Sequence, residues 1–243
     1  MNTKRLEEIL MMPEPELQTF LITELSGLDY SINCGHDEDK NILYIYAIKC
    51  SSLPVLLIAH TDTVHDHPPK EIYYDDINGS LLSPTGLGAD DRAGVFAILE
   101  LIKKHECDVL FTSFEEKGSQ GAKQFLIDYD KNPRYKMLVQ LDNPGENGAM
   151  FYDNQAEDFQ DFILSFGFVR AYGKSSDIKF IAPQWNVNAV NLSVGYYHAH
   201  KKYEKLNLKH LEQTITKVEQ LLSKPVPLYQ AGELDLSEQN GYH

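Results

Sequence analysis

The sequence predicts an α/β fold: a single three-layer αβα sandwich around a mixed, mostly parallel sheet. Strand-like and helix-like segments alternate through the middle of the chain, which favours a mostly parallel sheet with helices on both faces. The run Pro54–His60 is apolar up to its last residue, as expected for a strand buried on both faces. The 243 residues, 42% of them hydrophobic, suffice for one large domain with a core.

The elements follow from periodicity. A helical region with a proline break is predicted over residues 3–25. Strands are predicted at residues 41–49, 54–60, 108–114, 136–142, 149–152 and 189–194, with short candidates near 72–74 and 81–82. Helices are predicted at residues 90–105, 120–129, 158–166 and 206–222. The remaining stretch, residues 224–243, is predicted to be a polar C-terminal tail.

Composition argues against several classes of partner and location. The chain carries 22 basic and 36 acidic residues, a net charge of −14, whereas nucleic acids and anionic membranes require basic patches. No apolar run approaches the roughly 20 residues that span a membrane, and the N-terminus lacks the features of a signal peptide. Cys34, Cys50 and Cys107 form no C-x-x-C pair, so we expect no disulfide framework or thiolate zinc site. The expected location is the cytoplasm.

Ionisable side chains gather at the carboxyl ends of the predicted strands and at one loop-to-helix junction. Each has an ordinary alternative, such as a surface histidine, a helix cap or a solvated turn. It is harder to explain all of them together as solvated surface residues. The carboxyl ends of neighbouring parallel strands converge on one crevice, so these side chains are expected to meet there. Imidazole and carboxylate are ligands of divalent metals. The residues are His60, Asp62, Asp90, Asp91, Glu115, Glu116, Asp142 and His200.

These residues lie in motifs that resemble a known superfamily, the co-catalytic two-zinc exopeptidases. The superfamily includes leucyl-type aminopeptidases, peptidase T-like tripeptidases and carboxypeptidase G-like enzymes. The resemblance extends from about Leu6 to Leu222. Its motifs, in chain order, are H-x-D-x-V at His60–Val64, G-A-D-D-R-x-G at Gly88–Gly94, E-E-x-G at Glu115–Gly118, a third carboxylate at Asp142, and H-x-x-x-E at His200–Glu204.

The resemblance implies a dinuclear metal centre and a catalytic base. The metals would be Zn²⁺, with Co²⁺ or Mn²⁺ also suited to such ligands. Glu115 would be the general base, Asp62 would fix the tautomer of His60, and a cis peptide would join Asp90 to Asp91. The implied metal ligands are His60 and Asp142 for one ion, Glu116 and His200 for the other, and Asp90 for both.

The chemistry explains these residue types. Two metals roughly 3.5–4 Å apart share a water and lower its pKa toward about 7. Glu115 would take a proton from that water and pass it to the leaving amine. The metals would polarise the scissile carbonyl and stabilise the oxyanion.

Two further residues are candidates for substrate contact. His198 precedes His200, which is preferred as the ligand because Glu204 follows it by four residues. Asp177 resembles the superfamily's serine–aspartate pair near the substrate, and a helix N-cap is an equal alternative. Many relatives insert a lid domain before the last histidine, but the interval from Asp142 to His200 has no room for one. We therefore predict a lidless catalytic domain over residues 1–223.

The predicted activity is metal-dependent amide or peptide hydrolysis, with an aminopeptidase on short peptides favoured. A carboxypeptidase needs a cation for the substrate carboxylate. Arg92 stands in a structural motif position, Arg170 has no matched role, and a lysine such as Lys174 is an alternative cation.

An N-acyl amino acid amidohydrolase, a carboxypeptidase on the same centre and an inactive metal-binding homologue remain alternatives. A haloacid dehalogenase-type phosphatase is disfavoured, because His60 replaces its nucleophilic aspartate. The expected partner is a small peptide or N-acyl substrate, and the oligomeric state is not predicted.

Overall fold

The computed structural model describes residues 1–50, 52–152, 156–173 and 175–227. The helices are α1 Thr3–Met11, α2 Glu14–Gly27, α3 Ala89–Leu101, α4 Gln120–Asp128, α5 Glu157–Leu164, α6 Ile178–Trp185 and α7 Leu208–Leu222. The strands are β1 Ser31–His36, β2 Ile42–Ile48, β3 Leu53–His60, β4 Tyr73–Asp75, β5 Ser80–Leu82, β6 Cys107–Thr112, β7 Met137–Asn143, β8 Gly148–Met150, β9 Val169–Ala171, β10 Asn188–Ser193, β11 Tyr196–Tyr197 and β12 Lys205–Asn207.

Local sequence accounts for where several helices begin. The side chain of Asn2 accepts a hydrogen bond from the backbone of Arg5 and caps α1. Pro13 separates α1 from α2 and occupies the N-cap of α2, where the missing N–H costs nothing. Asn207 caps α7 through the backbone N–H of His210. None of the helices in the described part of the chain has the length and apolarity needed to cross a membrane.

The large sheet has eight strands in the order β1-β2-β6-β3-β7-β10-β8-β9. Its centre is parallel, because β6, β3, β7 and β10 pair in the same direction. Antiparallel pairs lie on both sides, between β1, β2 and β6 and between β10 and β8. The mixed, mostly parallel sheet predicted from the sequence is confirmed.

Helices cover both faces of this sheet. Val55, Leu57 and Ala59 of β3 pack into the core with residues of α1, α2, α3, α5 and α7. Leu56 and Ile58 point to the other face and pack with residues of α4 and α6. This alternation of side chains between two cores is the geometry of a strand in the middle layer. The three-layer αβα architecture is therefore confirmed.

A smaller antiparallel sheet, in the order β11-β12-β5-β4, was not predicted as a unit. Its register pairs Leu206 with Leu81 and Tyr196 with Leu206. The connection between β11 and β12 carries His200 and Glu204. This sheet consequently supports the loop that brings the last of the predicted metal ligands to the large sheet.

The interval between Asp142 and His200 contributes its elements to the main layers. It contains β8, α5, β9, α6 and β10, all of which pair with or pack on the large sheet, and then β11. The described residues of this interval form no separate lid, as predicted.

After α7, Val226 is buried in the core and its carbonyl accepts a hydrogen bond from Lys136. The rest of the predicted tail, residues 228–243, lies outside the described residues, so the boundary after residue 223 stays a prediction.

Truncation of Ile98 in α3 should expose how much the core contributes to stability. Ile98 is fully buried between the sheet and the outer helices, whereas Ile127 in α4 is 73% exposed. We expect Ile98→Ala to lower the free energy of unfolding by about 2–5 kcal/mol, and the matched Ile127→Ala to change it by at most about 0.5 kcal/mol. Urea denaturation of both variants measures the difference, and equal losses would contradict the assigned layers.

Candidate active site

Three neighbouring strands deliver predicted site residues to one edge of the large sheet. His60 is the last residue of β3, and Asp142 is the penultimate residue of β7. Glu115 and Glu116 follow β6 after a short turn in which Phe114 has a left-handed backbone. Because β6, β3 and β7 are parallel neighbours, their carboxyl ends meet at this edge.

Asp90 enters from the first turn of α3. A turn with left-handed glycines at Gly86 and Gly88 precedes it. The peptide between Asp90 and Asp91 is cis, as the family resemblance implies. The carboxylate of Asp90 is buried and faces two histidines. Its Oδ1 lies 3.2 Å from Nε2 of His60, and its Oδ2 lies 3.2 Å from Nε2 of His200.

The remaining predicted ligands complete two groups around Asp90. Oδ1 of Asp142 lies 3.5 Å from Nε2 of His60. Oε1 of Glu116 lies 2.9 Å from Nε2 of His200. The structure thus brings together all five residues predicted as metal ligands, with Asp90 between the two groups.

These distances fit a metal centre. Tetrahedral coordination with bonds of 2.0–2.1 Å places ligand atoms about 3.3 Å apart, and the four separations range from 2.9 to 3.5 Å. In addition, Oε1 of Glu116 is buried and makes no hydrogen bond of good geometry. A buried carboxylate oxygen that faces an imidazole nitrogen without a well-aligned hydrogen bond is suited to a cation. The donor set and its spacing therefore fit divalent metal ions.

Asp91 offers an alternative ligand, since its carboxylate lies within 4.8 Å of ligand atoms of His60 and Asp142. His60, Asp90 and Glu116 form an equally close group. The hydrogen bonds distinguish the two groups. Both oxygens of Asp91 already accept backbone N–H groups, one from His60 at 3.2 Å and one from Gly94 at 3.1 Å. Asp91 therefore holds the backbone, and Asp90 presents its carboxylate to the two histidines.

Asp62 connects His60 to the two glutamates. Its Oδ1 lies 3.3 Å from Nδ1 of His60, whose ring also lies 3.0 Å from the Asp62 carbonyl. The same carboxylate accepts the backbone N–H groups of Glu115 at 3.0 Å and Glu116 at 3.2 Å. These contacts direct Nε2 of His60 toward Asp90 and hold the glutamate turn in place.

Burial and like charge raise the pKa values of two carboxyl groups in the site, those of Glu115 and Asp142. Burial raises the pKa of Glu115 to about 8, and the carboxylates of Asp142, Asp177 and Glu116 contribute further, while His60 opposes the rise. Burial also raises the pKa of Asp142 to about 7 despite its hydrogen bond with His60. Cations in the site would offset this crowding of negative charge.

The site opens into a cavity of about 200 Å³. Glu115 lines it, so the carboxylate can reach a bound substrate. The other lining residues are Asp90, Glu116, Asp142, Asn143, Pro144, Gly173, Ser175, Asn191, Tyr196, Ala199 and His200. No lysine or arginine is among these described lining residues. Lys174, between Gly173 and Ser175, lies outside the described residues.

Arg92 faces away from the cavity. Its guanidinium donates hydrogen bonds to the carbonyls of Ile9, Leu10 and Met12 at the end of α1. Arg170 is exposed and bonds to Gln160 on α5. Neither Arg92 nor Arg170 is therefore positioned to hold a substrate carboxylate in this cavity.

The two predicted substrate residues do not line the cavity. Asp177 is fully buried at the N-terminus of α6, where it accepts a hydrogen bond from Thr112 and makes no side-chain cap. His198 is exposed and packs against the ring of Tyr203. The geometry places Asp177 beneath the site and His198 at the surface of the His200 loop, and it shows neither at the cavity wall.

Sequence reasoning missed several polar residues that support Asp142. Gln140 donates to Oδ2 of Asp142 at 3.1 Å, Asn191 accepts from its backbone N–H at 3.0 Å, and Tyr196 donates to its carbonyl at 2.9 Å. Gln140 and Asn191 are polar residues with an apolar neighbour on each side in their strands. That interruption is the signal that could have identified them.

A second missed group lies where α2 meets the base of the site. Gln18 donates to Oγ of Ser113 at 2.8 Å, and Glu14 accepts from Thr61 at 2.9 Å. Thr61 follows His60 directly, and Ser113 begins the turn to the glutamates. The first 27 residues therefore contact two of the segments that carry predicted ligands.

The chain is similar in fold to several peptidases of known structure. A search of curated protein sequences finds no match. Among solved structures, aminopeptidase PepT from Bacillus cereus is similar, with 15% identity, a TM-score of 0.73, and coverage of 90% of this chain and 96% of that chain. A tripeptidase from Staphylococcus aureus has 15% identity and a TM-score of 0.72, with 89% and 95% covered. The TET1 peptidase of Pyrococcus horikoshii, which can assemble into a tetrahedron or a large octahedral shell, has 15% identity and a TM-score of 0.64, with 90% and 98% covered.

These structural likenesses establish a shared fold. The sequence itself carries the family assignment, because the profile of peptidase family M28 matches residues 41–177, more than half of the chain. The matched region contains four of the five clustered ligand candidates together with Glu115. The chain belongs to peptidase family M28.

Proposed function

We propose that the chain is an aminopeptidase for short peptides that uses two divalent metal ions, Zn²⁺ foremost, with Glu115 as general base. The carrying observation is the position of Asp90. Its two carboxylate oxygens face different histidines, His60 and His200, at 3.2 Å each. A carboxylate shared between two imidazoles is the arrangement expected of a bridging ligand in a two-metal site.

The proposed ligand sets follow from the contacts around this bridge. His60 and Asp142 would hold one ion with Asp90, and Glu116 and His200 would hold the other. The ions would lower the pKa of a water toward about 7 and polarise the scissile carbonyl.

Glu115 is suited to move the proton. Its side chain lines the cavity beside the ligands, and its backbone is fixed by Asp62. The carboxylate would take a proton from the attacking water as the oxygen adds to the carbonyl carbon. It would then give this proton to the amine nitrogen as the C–N bond breaks. One group thereby serves both halves of the hydrolysis.

The choice of an aminopeptidase rests on the charges of the cavity. The described lining carries four carboxylates and no lysine or arginine. The guanidinium of Arg92 donates hydrogen bonds to carbonyl groups at the end of α1. A substrate carboxylate would therefore lack the bidentate partner that carboxypeptidases require, whereas a substrate ammonium group meets oxygen acceptors. We further propose a cytoplasmic location, since Cys34, Cys50 and Cys107 are free thiols.

Blocking the substrate N-terminus tests this proposal. We expect trialanine with a free N-terminus to be cleaved with a kcat/KM at least about tenfold higher than N-acetyl-trialanine, because a hydrogen bond to a charged group contributes about 1.5–3 kcal/mol. The assay uses protein reconstituted with Zn²⁺, Co²⁺ or Mn²⁺, with a chelator-treated sample as control. Equal or faster cleavage of the acetylated peptide would replace the aminopeptidase assignment with an N-acyl amidohydrolase or a carboxypeptidase.

A further inference from the structure

Glu204 makes a set of contacts that the proposed reaction does not use directly. It lies four residues after His200, in the connection between β11 and β12, and its side chain is fully buried. Its Oε2 accepts the backbone N–H of Gly88 at 2.6 Å, and its Oε1 accepts that of Asp90 at 3.1 Å. Glu204 does not line the cavity, so any effect on the reaction must pass through other residues.

Both N–H groups belong to the turn that enters α3. Gly88 has a left-handed backbone with φ of 69°. Gly86, with φ of 98°, is packed so closely on His65 that an added Cβ would lie 2.3 Å from its ring. Nε2 of His65 in turn lies 3.4 Å from Oε2 of Glu204. The turn is therefore held from two sides, by the His65 ring and by the Glu204 carboxylate.

We propose that Glu204 is a positioning residue for the metal pair, locking the backbone of Asp90 to the loop that carries His200. The proposal rests on the two-metal function proposed above. One carboxylate joins the segments that supply two ligands of the same ion, whose facing atoms, Oδ2 of Asp90 and Nε2 of His200, lie 3.2 Å apart. Loss of this link would let the two ligands separate, and bridging would weaken at both ions.

Two substitutions separate geometry from charge. Glu204→Gln keeps the size of the side chain but replaces one acceptor oxygen with an NH₂ group that would face a backbone N–H. Glu204→Asp keeps the charge but is one methylene shorter, so it cannot hold both N–H groups in place. We expect each variant to weaken Zn²⁺ binding by about tenfold or more, the range typical when a partner of a metal ligand is lost.

Zn²⁺ dissociation constants and stoichiometry are measured by chelator competition on the full chain, with folding checked by near-UV circular dichroism. Asp108→Asn is the matched control. Asp108 is also a fully buried carboxylate, and it accepts hydrogen bonds from the backbone of Lys49 and from Tyr135, at the opposite end of β6. We expect this control to lower Tm and leave the Zn²⁺ constants at the parent values.

The outcomes distinguish the two proposals. A parent protein that binds fewer than two ions defeats the two-metal function itself. A parent that binds two ions, with either Glu204 variant retaining the parent constants, leaves that function intact and overturns the positioning role. Should Glu204→Gln fail to fold, the comparison of Glu204→Asp with Asp108→Asn decides the question alone.

Discussion

Replacement of Glu115 by glutamine is expected to lower kcat by about 10²–10⁴-fold, the usual contribution of general acid–base catalysis. Glutamine has nearly the same shape but cannot accept and return a proton at neutral pH. Its backbone N–H would still bond to Asp62, so the turn should keep its geometry. Metal content should stay at the parent value, because the ligand set assigns Glu115 to neither ion.

The adjacent Glu116→Gln variant provides the contrast. Oε1 of Glu116 faces His200 at 2.9 Å, so its loss should reduce metal occupancy on that side of Asp90. Steady-state kinetics and metal analysis of the two variants separate the roles of the two glutamates. Loss of metal in Glu115→Gln, or retained turnover, would show that these roles are reversed or wrongly assigned.

Removal of the Asp90 carboxylate is expected to have the second large effect, the loss of both metal ions and of activity with them. Asp90→Ala deletes the only side chain of the five that contacts both histidine-centred groups. The remaining pairs, His60 with Asp142 and Glu116 with His200, provide only two ligands for each ion. Structural and catalytic zinc sites use at least three protein ligands.

Metal analysis after dialysis measures this outcome, and Asp76→Ala is a suitable control because Asp76 is an exposed aspartate. Asp90→Asn provides a second variant that retains the shape and one oxygen. An Asp90→Ala protein that is folded and still binds two ions would contradict the bridging assignment.

The central elements could be predicted from sequence because their patterns are strong. β3, β6 and β7 are short, mostly apolar segments buried on both faces, and α3 follows a recognisable glycine turn. The edges were harder. β1 and β9 expose much of their surface, so their residues lack an apolar pattern. β11 and β12 have two and three residues, too few for any periodicity.

α6 illustrates a different difficulty. Pro183 lies inside the helix Ile178–Trp185, and a proline in a sequence normally indicates that a helix has ended. Only the tertiary packing of Ile178, Ile181 and Trp185 against the sheet shows that the helix continues past it. Local propensity was outweighed here by burial, which a single sequence does not display.

The site residues could be predicted for a related reason. His60, Asp142 and the glutamate pair stand where strands end, and parallel pairing makes such ends converge. The partners that orient them come from distant segments, as when Asn191 holds the backbone of Asp142. Their spacing in the sequence obeys no local rule, so only the folded structure reveals which polar groups meet.

The parallel centre of the sheet also has a consequence for the order in which this protein acquires its properties. Glu204 and Gly88 are separated by 116 residues, and the parallel pairing of β10 with β7 precedes the His200 loop in the chain. Long-range parallel pairings form slowly, because the entropy of closing a long loop is lost before the stabilising contacts are made. A nascent or partly folded chain would therefore hold scattered carboxylates and imidazoles with ordinary weak affinity for cations. Tight metal uptake would be one of the last steps of maturation, and it would then stabilise the native state by mass action.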